Sequence, residues 1–163
     1  IAISAIFYGF ALGSPFWGWL SDRYQCRVPF MLLGTSVAAL SSVLLIFIVV
    51  QSAWALSLQC FIFGFFISAF VLSFSMVREV NFIIFAASSV GFMNMFNSLT
   101  SAFIDPMIGK LLDLFSTGGC YKAGHVCAMD FRMAMLVIPV TLVVALLLLI
   151  FCVNETHCQQ VES

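Results

Sequence analysis

Long stretches without any charged side chain dominate this sequence. Charged residues make up 8% of the 163 residues, and the longest uncharged stretch runs from residue 28 to residue 77. Hydrophobic residues make up 63%, whereas soluble domains are roughly half apolar and about a quarter charged. A soluble domain of this size could not bury so much apolar surface. The composition therefore excludes a soluble enzyme, and a net charge of −1 with six basic residues excludes a nucleic-acid-binding protein.

The uncharged stretches are long enough to be membrane-spanning helices. A span needs about 20 apolar residues, because a helix rises about 1.5 Å per residue and the hydrocarbon is about 30 Å thick. Lipid offers the backbone no hydrogen-bond partner, which favours helices where strand alternation is missing. The stretch Gln51-Ser52-Ala53, followed by the interfacial aromatic Trp54, divides the longest stretch in two. We therefore predict an all-α, polytopic membrane protein of one helical domain, with five spans at about 1–21, 29–50, 54–77, 83–109 and 132–153.

The chain opens directly in an apolar segment at Ile1. A signal peptide would begin with a basic region, so we expect this sequence to be a fragment of a longer protein that continues on the N-terminal side. Five spans would place the two termini on opposite sides of the membrane. The positive-inside rule leaves the orientation open, because three basic residues fall on each side: Arg23, Arg27 and Arg78 on one, and Lys110, Lys122 and Arg132 on the other.

The loop between the first two predicted spans carries a compact group of charges. Residues 18–27 read Gly-Trp-Leu-Ser-Asp-Arg-Tyr-Gln-Cys-Arg. Gly18 would allow two helix ends to approach closely, as an extension of the small-residue row at Gly9 and Gly13. Asp22 falls at the junction of helix and loop, where a short carboxylate can accept backbone N–H groups.

A second charged turn, at Arg78 and Glu79, is predicted to face the same side of the membrane. Arg23 and Arg27 are four residues apart and could project together toward Glu79, while Arg78 could pair with Asp22. We therefore predict a charge cluster at one edge of the helices. The alternative is that these side chains are interfacial charges that only end each span.

The spacing of the first loop resembles the signature loop of the major facilitator superfamily, G-x-L-a-D-R-x-G-R-[RK], which joins the second and third helices of each six-helix half. Gln25 and Cys26 depart from this pattern. Residues 91–113 are similar to the eleventh helix of bacterial members, and residues 154–157 are similar to the P-E-T-K end of the last helix. The positions that match the signature loop are Gly18, Leu20, Asp22, Arg23 and Arg27.

This resemblance implies helices eight to twelve of a secondary-active transporter that moves a small solute by alternating access. It places the Asp22 loop and the C-terminus in the cytoplasm, and the protein in a bacterial inner (plasma) membrane. The implied partners are a small-molecule substrate, a coupling ion (proton or sodium), the lipid bilayer and the missing N-terminal half. No cofactor is expected. The predicted conformational-gating residues are Gly18, Asp22, Arg23, Arg27, Arg78 and Glu79.

Two other functions are alternatives to transport. A membrane-embedded enzyme needs a nucleophile, an acid–base pair or a metal at reachable depth, but both histidines lie outside the predicted spans and no carboxylate pair lies within them. We therefore predict that the protein is not an enzyme. A non-transporting structural or assembly subunit of the membrane remains the alternative function.

Polar residues at membrane depth are candidates for a substrate path, because they are costly in lipid. Asn94 and Asn97 belong to a polar stripe on the fourth span and offer both donors and acceptors; helix packing is the equal alternative for them. Asp105 could bind a proton or cation, although an interfacial position beside Lys110 is favoured. By the resemblance, the third span lines the cavity, which makes Gln59 and Phe63 further candidates, with ordinary packing as the alternative for Phe63.

Cys120 and Cys127 share the predicted outer loop and could form a disulfide if that side is oxidising. With His125 they offer three ligands at a spacing unsuited to zinc, so no metal site is predicted.

Overall fold

The computed structural model describes residues 2–48, 52–115 and 128–155, with side chains described for 2–48, 52–111 and 132–155. Every regular element within these ranges is helical, which confirms the predicted all-α class. Two short 3₁₀ segments, Ser68–Val71 and Ile83–Phe85, join neighbouring helices. The α-helices are α1 (Ala2–Tyr24), α2 (Val28–Phe47), α3 (Ala53–Ile67), α4 (Leu72–Val80), α5 (Ala86–Phe115), α6 (Ala128–Met135) and α7 (Val137–Cys152).

Four helical stretches are long and apolar enough to cross a membrane: Val28–Phe47, Ala53–Val80, Ile83–Leu111 and Arg132–Cys152. The 23 residues of α1 would reach about 34 Å, which is also a spanning length. This helix is less apolar than the other four stretches, because it includes three glycines, three serines and Pro15. The structure therefore shows a polytopic membrane protein, and a membrane-crossing α1 stays a prediction.

Helices α1 and α3 pack backbone against backbone at their glycines. A Cβ placed on Gly13 would lie 2.5 Å from the carbonyl oxygen of Phe65, and one on Gly64 would lie 2.9 Å from the backbone carbon of Ile6. Small residues permit this approach between helices in lipid, where close van der Waals packing drives association. The close α1–α3 contact thus requires glycine, which has no side chain, at Gly13 and Gly64.

The third span changes helix type where it meets both of its neighbours. The indole Nε1 of Trp17 donates to the carbonyl oxygen of Phe65 at 2.9 Å, and Ser68 Oγ donates to the same oxygen at 2.7 Å. Ala69, in the 3₁₀ segment, packs against Gly34 of α2. Side-chain bonds to a helical carbonyl and a short 3₁₀ stretch are common where a helix bends. The buried core surrounds this bend and consists of Trp17, Met31, Ala69, Leu72 and Met76.

Helix α7 packs along α2, whereas α5 packs against α4 and α6. No residue from 86 to 111 is buried in the described structure. The molecule is therefore densest around α1, α2, α3 and α4, and α5 stands at its margin.

Candidate functional site

The turn between α1 and α2 brings a buried arginine to the end of the helices. The Cys26 amide donates to the carbonyl oxygen of Ser21 at 3.3 Å, and Gln25 has a φ of 51°. This left-handed residue reverses the chain so that Arg27 stands at the N-cap of α2. The signature loop of the major facilitator superfamily has glycine at the position of Gln25, which is the residue best suited to such a φ.

The guanidinium of Arg27 contacts two carboxylates. Its Nε and Nη2 lie 2.7 and 2.5 Å from Oε1 of Glu79 at the end of α4, and Nη2 lies 3.1 Å from Oδ1 of Asp22. The side chains of Arg27 and Glu79 are 8% and 11% exposed, whereas that of Asp22 is 66% exposed. Arg27 therefore forms one buried and one exposed ion pair.

Ser21 completes the surroundings of the arginine. Its Oγ accepts a hydrogen bond from Arg27 Nη1 at 3.0 Å and donates to the carbonyl oxygen of Gly18 at 3.0 Å. Ser21 is fully buried, as expected for a hydroxyl that has both a donor and an acceptor partner. The hydroxyl fixes the plane of the guanidinium relative to the last turn of α1.

Glu155, just beyond α7, reaches the start of α2. Its two carboxylate oxygens accept the backbone N–H groups of Arg27 and Val28 at 2.7 and 2.8 Å. The first amides of a helix have no partner inside the helix and carry partial positive charge, so a carboxylate there is stabilising. The N-cap residue Arg27 supplies no side-chain cap of its own, and Glu155 takes that place from 128 positions along the chain. We call Ser21, Asp22, Arg27, Glu79 and Glu155 the Arg27 cluster.

A model of the Major Facilitator Superfamily matches residues 1–159 of this chain. The chain belongs to the Major Facilitator Superfamily. Its members are membrane transporters rather than enzymes, so the transporter family inferred from the signature loop is confirmed. No curated protein and no solved structure matches the chain.

The structure of this Major Facilitator Superfamily chain brings together three of the six predicted gating residues: Asp22, Arg27 and Glu79. The predicted contact of Arg23 with Glu79 is wrong, because the Arg23 guanidinium lies over the Trp19 ring, 5.6 Å from its centroid. In the part of the chain that the structure describes, Arg78 does not pair with Asp22, so this prediction is also wrong. Adjacent helical residues point about 100° apart, so Arg78 faces away when Glu79 faces the cluster.

The predicted close approach at Gly18 is wrong as well. A Cβ on Gly18 would meet no described atom within 4 Å. The row of α1 that is buried consists of Gly9, Gly13, Trp17 and Ser21, one residue out of phase with Gly18. In this structure Gly18 contributes its carbonyl oxygen to Ser21 rather than space between helices.

Two members of the cluster were missed as functional residues by sequence reasoning. Ser21 lies within the signature loop, and Glu155 lies within the terminal segment similar to P-E-T-K. The start of α2 carries the one local signal that could have indicated Glu155: a Val-Pro pair follows Arg27, with no Ser, Thr, Asp or Asn at the N-cap.

The five substrate-path candidates are not gathered around one cavity by the described structure. Gln59 and Phe63 are half-buried on α3, whereas Asn94, Asn97 and Asp105 are exposed on α5. Helix α5 packs on α4 and α6 rather than on α3. The substrate path stays a prediction.

The remaining site predictions concern cysteines and metals. Cys120 and Cys127 lie outside the described residues, so their disulfide stays a prediction. Within the described ranges, no three His, Cys, Asp or Glu side chains come close enough to hold a metal ion.

Proposed function

We propose that this chain forms part of a secondary-active transporter that moves a small solute by alternating access, and that the Arg27 cluster stabilises its cytoplasm-closed state. The observation that carries the proposal is the buried Arg27, bound by carboxylates from two different helix ends, Asp22 and Glu79. Transporters of this architecture rock two helical halves around a site near the bilayer midplane. A charge cluster at helix ends is suited to favouring one arrangement over the other.

The two carboxylates would serve different purposes. Glu79 is buried with Arg27 and fixes α4 to the α1–α2 turn within this half of the protein. Asp22 is largely exposed, which leaves its carboxylate accessible to a group from the N-terminal half. We assign the contact between halves to Asp22 and the contact within this half to Glu79.

The setting follows from the same resemblance. We propose a bacterial inner (plasma) membrane with the Arg27 cluster on the cytoplasmic side, a small-molecule substrate, and a proton or sodium ion as the coupling ion. The N-terminal half of the same transporter would be the structural partner, since the site between two halves requires both.

Replacement of Asp22 by Asn tests this function. The substitution keeps the shape of the side chain but removes its charge, so we expect the transporter to shift toward the inward-open state. The readout is labelling of a cysteine at position 63 by a membrane-impermeant thiol reagent, in a transporter whose native cysteines have been replaced. Labelling from the cytoplasmic side should rise and labelling from the outer side should fall.

The matched control is Asp113→Asn, which removes a carboxylate near the C-terminal end of α5, outside the Arg27 cluster. We expect the labelling of position 63 to be the same with and without this control substitution. If Asp22→Asn changes the labelling of position 63 from neither side of the membrane, the gating function of the cluster is contradicted.

A further inference from the structure

A groove between α4 and α5 lies beside Arg78, the arginine that the Arg27 cluster does not use. The volume of this open groove is about 700 Å³. One of its six lining side chains is charged, and the other five carry no hydrogen-bonding group. The lining residues are Phe74, Arg78, Ile83, Ala86, Ala87 and Val90.

The position of the groove at the end of a spanning stretch predicts a depth where a bilayer changes from headgroups to acyl chains. Arg78 belongs to the last turn of α4, at the end of the span Ala53–Val80. From Arg78 to Phe74 the lining follows α4 for one helical turn, about 6 Å. An arginine at the end of a span reaches toward the water interface, while an apolar lining suits hydrocarbon. The groove is therefore polar at the end that carries Arg78 and apolar toward the membrane interior.

The charge of Arg78 is not balanced by a described neighbour. The side chain is exposed, and no described carboxylate lies within 4 Å of it. The adjacent Glu79 is bound by Arg27. A guanidinium offers a planar set of donors that matches phosphate oxygens, and basic sites between spanning helices on the cytoplasmic side bind anionic lipid headgroups.

We propose that the Arg78 groove binds an anionic glycerophospholipid, with the phosphate held by the Arg78 guanidinium and an acyl chain lying along the apolar lining. A polar solute fits this groove poorly, because Arg78 is the one lining side chain that can bind it through hydrogen bonds. Lipid binding of this kind goes beyond solute transport and does not require it.

Lipid retention by the purified protein tests the proposal. The protein is stripped of lipid in detergent, mixed with equal amounts of phosphatidylglycerol and phosphatidylcholine, and examined by native mass spectrometry. We expect retained phosphatidylglycerol to exceed phosphatidylcholine by about fivefold, the ratio that one basic residue at an anionic surface supplies. Arg78→Gln should bring the ratio to about one, and Arg78→Lys should keep most of the preference.

Two further variants separate the groove from surface charge in general. Arg23→Gln removes another exposed arginine at the same edge, which does not line the groove, and should leave the preference intact. Ala87→Leu fills the groove while Arg78 remains, and should lower phosphatidylglycerol retention severalfold. The proposal is overturned if Arg78→Gln keeps the preference, if Arg23→Gln abolishes it equally, or if Ala87→Leu has no effect. Because this readout requires no transport, its result is independent of whether the proposed function of the Arg27 cluster is correct.

Discussion

At the scale of single residues, Gln25 combines a side chain and a backbone conformation that rarely occur together. Its φ of 51° lies in the left-handed region, which is roughly 1–2 kcal/mol unfavourable for an L residue and freely accessible to glycine. The superfamily signature has glycine at this position. The chain thus keeps the backbone path of the signature turn while its side chain differs.

We expect Gln25→Gly to raise the free energy of unfolding by about 1 kcal/mol, because relief of the strained φ exceeds the entropy that glycine adds to the unfolded chain. Gln25→Val, which is β-branched, should lower it. Equilibrium unfolding in detergent micelles, followed by tryptophan fluorescence, measures both changes. Equal stability of the glycine and valine variants would show that residue 25 does not hold a positive φ in the folded protein.

The two carboxylates that contact Arg27 differ in exposure and therefore in energy. An exposed ion pair contributes roughly 0–1 kcal/mol, which applies to Asp22. Removing one partner of a buried pair is unfavourable by about 3–5 kcal/mol, because the other charge stays buried without compensation, and this applies to Glu79. Loss of the Asp22 charge can therefore alter the balance between two transporter states without unfolding the protein, as the accessibility experiment requires.

At the scale of helices, the glycines of the α1–α3 contact and the glycine of the gating loop should respond oppositely to one added methyl group. A Cβ on Gly64 would lie 2.9 Å from two backbone atoms of Ile6, whereas one on Gly18 meets no described atom within 4 Å. Backbone atoms cannot move aside as a flexible side chain can, so α1 and α3 would have to separate.

We expect Gly64→Ala to lower the free energy of unfolding by about 1–3 kcal/mol through overpacking. Gly18→Ala should raise it by up to about 1 kcal/mol, because alanine is the better helix former. The two variants serve as controls for each other in one detergent-unfolding experiment. A loss of stability in Gly18→Ala as large as that in Gly64→Ala would contradict the packing described for α1.

The sequence predicted the helices well and the helix faces less well. The long uncharged stretches determine where helices must lie, because lipid excludes charges and leaves no other backbone partner. The buried face of α1 depends instead on its neighbour: Trp17 is buried because its indole reaches the Phe65 carbonyl oxygen. A row that passes through Gly18 and one that passes through Trp17 differ by a rotation of about 100°, and no local pattern chooses between them.

The candidate site shows the same division. Arg27 with Glu79 was foreseeable because two charged turns had to meet at one edge of the helices. Glu155 was not foreseeable as a member, because its contact with Arg27 spans 128 positions and depends on how α7 packs along α2. Arg78 was misplaced because neighbours in a helix cannot both face one cluster.

At the scale of the whole molecule, the Arg27 cluster connects helices that are distant in sequence. Arg27 and Glu79 connect the α1–α2 turn to α4, and Glu155 connects the segment after α7 to the start of α2. These contacts lie at the same edge, so the ends of α1, α2, α4 and α7 are held as one unit. A unit of this kind can move as a body when a transporter changes state.

Glu155→Gln tests whether the carboxylate after α7 is needed for that unity. A carboxamide offers one acceptor where the carboxylate offers two, and it carries no charge toward the positive end of α2. We expect the free energy of unfolding to fall by about 1–2 kcal/mol, the typical effect of losing a helix N-cap. We also expect amide hydrogen exchange to rise at both Arg27 and Val28. Asn154→Ala, at the exposed neighbouring position, should change neither quantity. If exchange at Arg27 and Val28 stays slow in Glu155→Gln, the start of α2 is capped by another group and α7 is held to α2 by apolar packing alone.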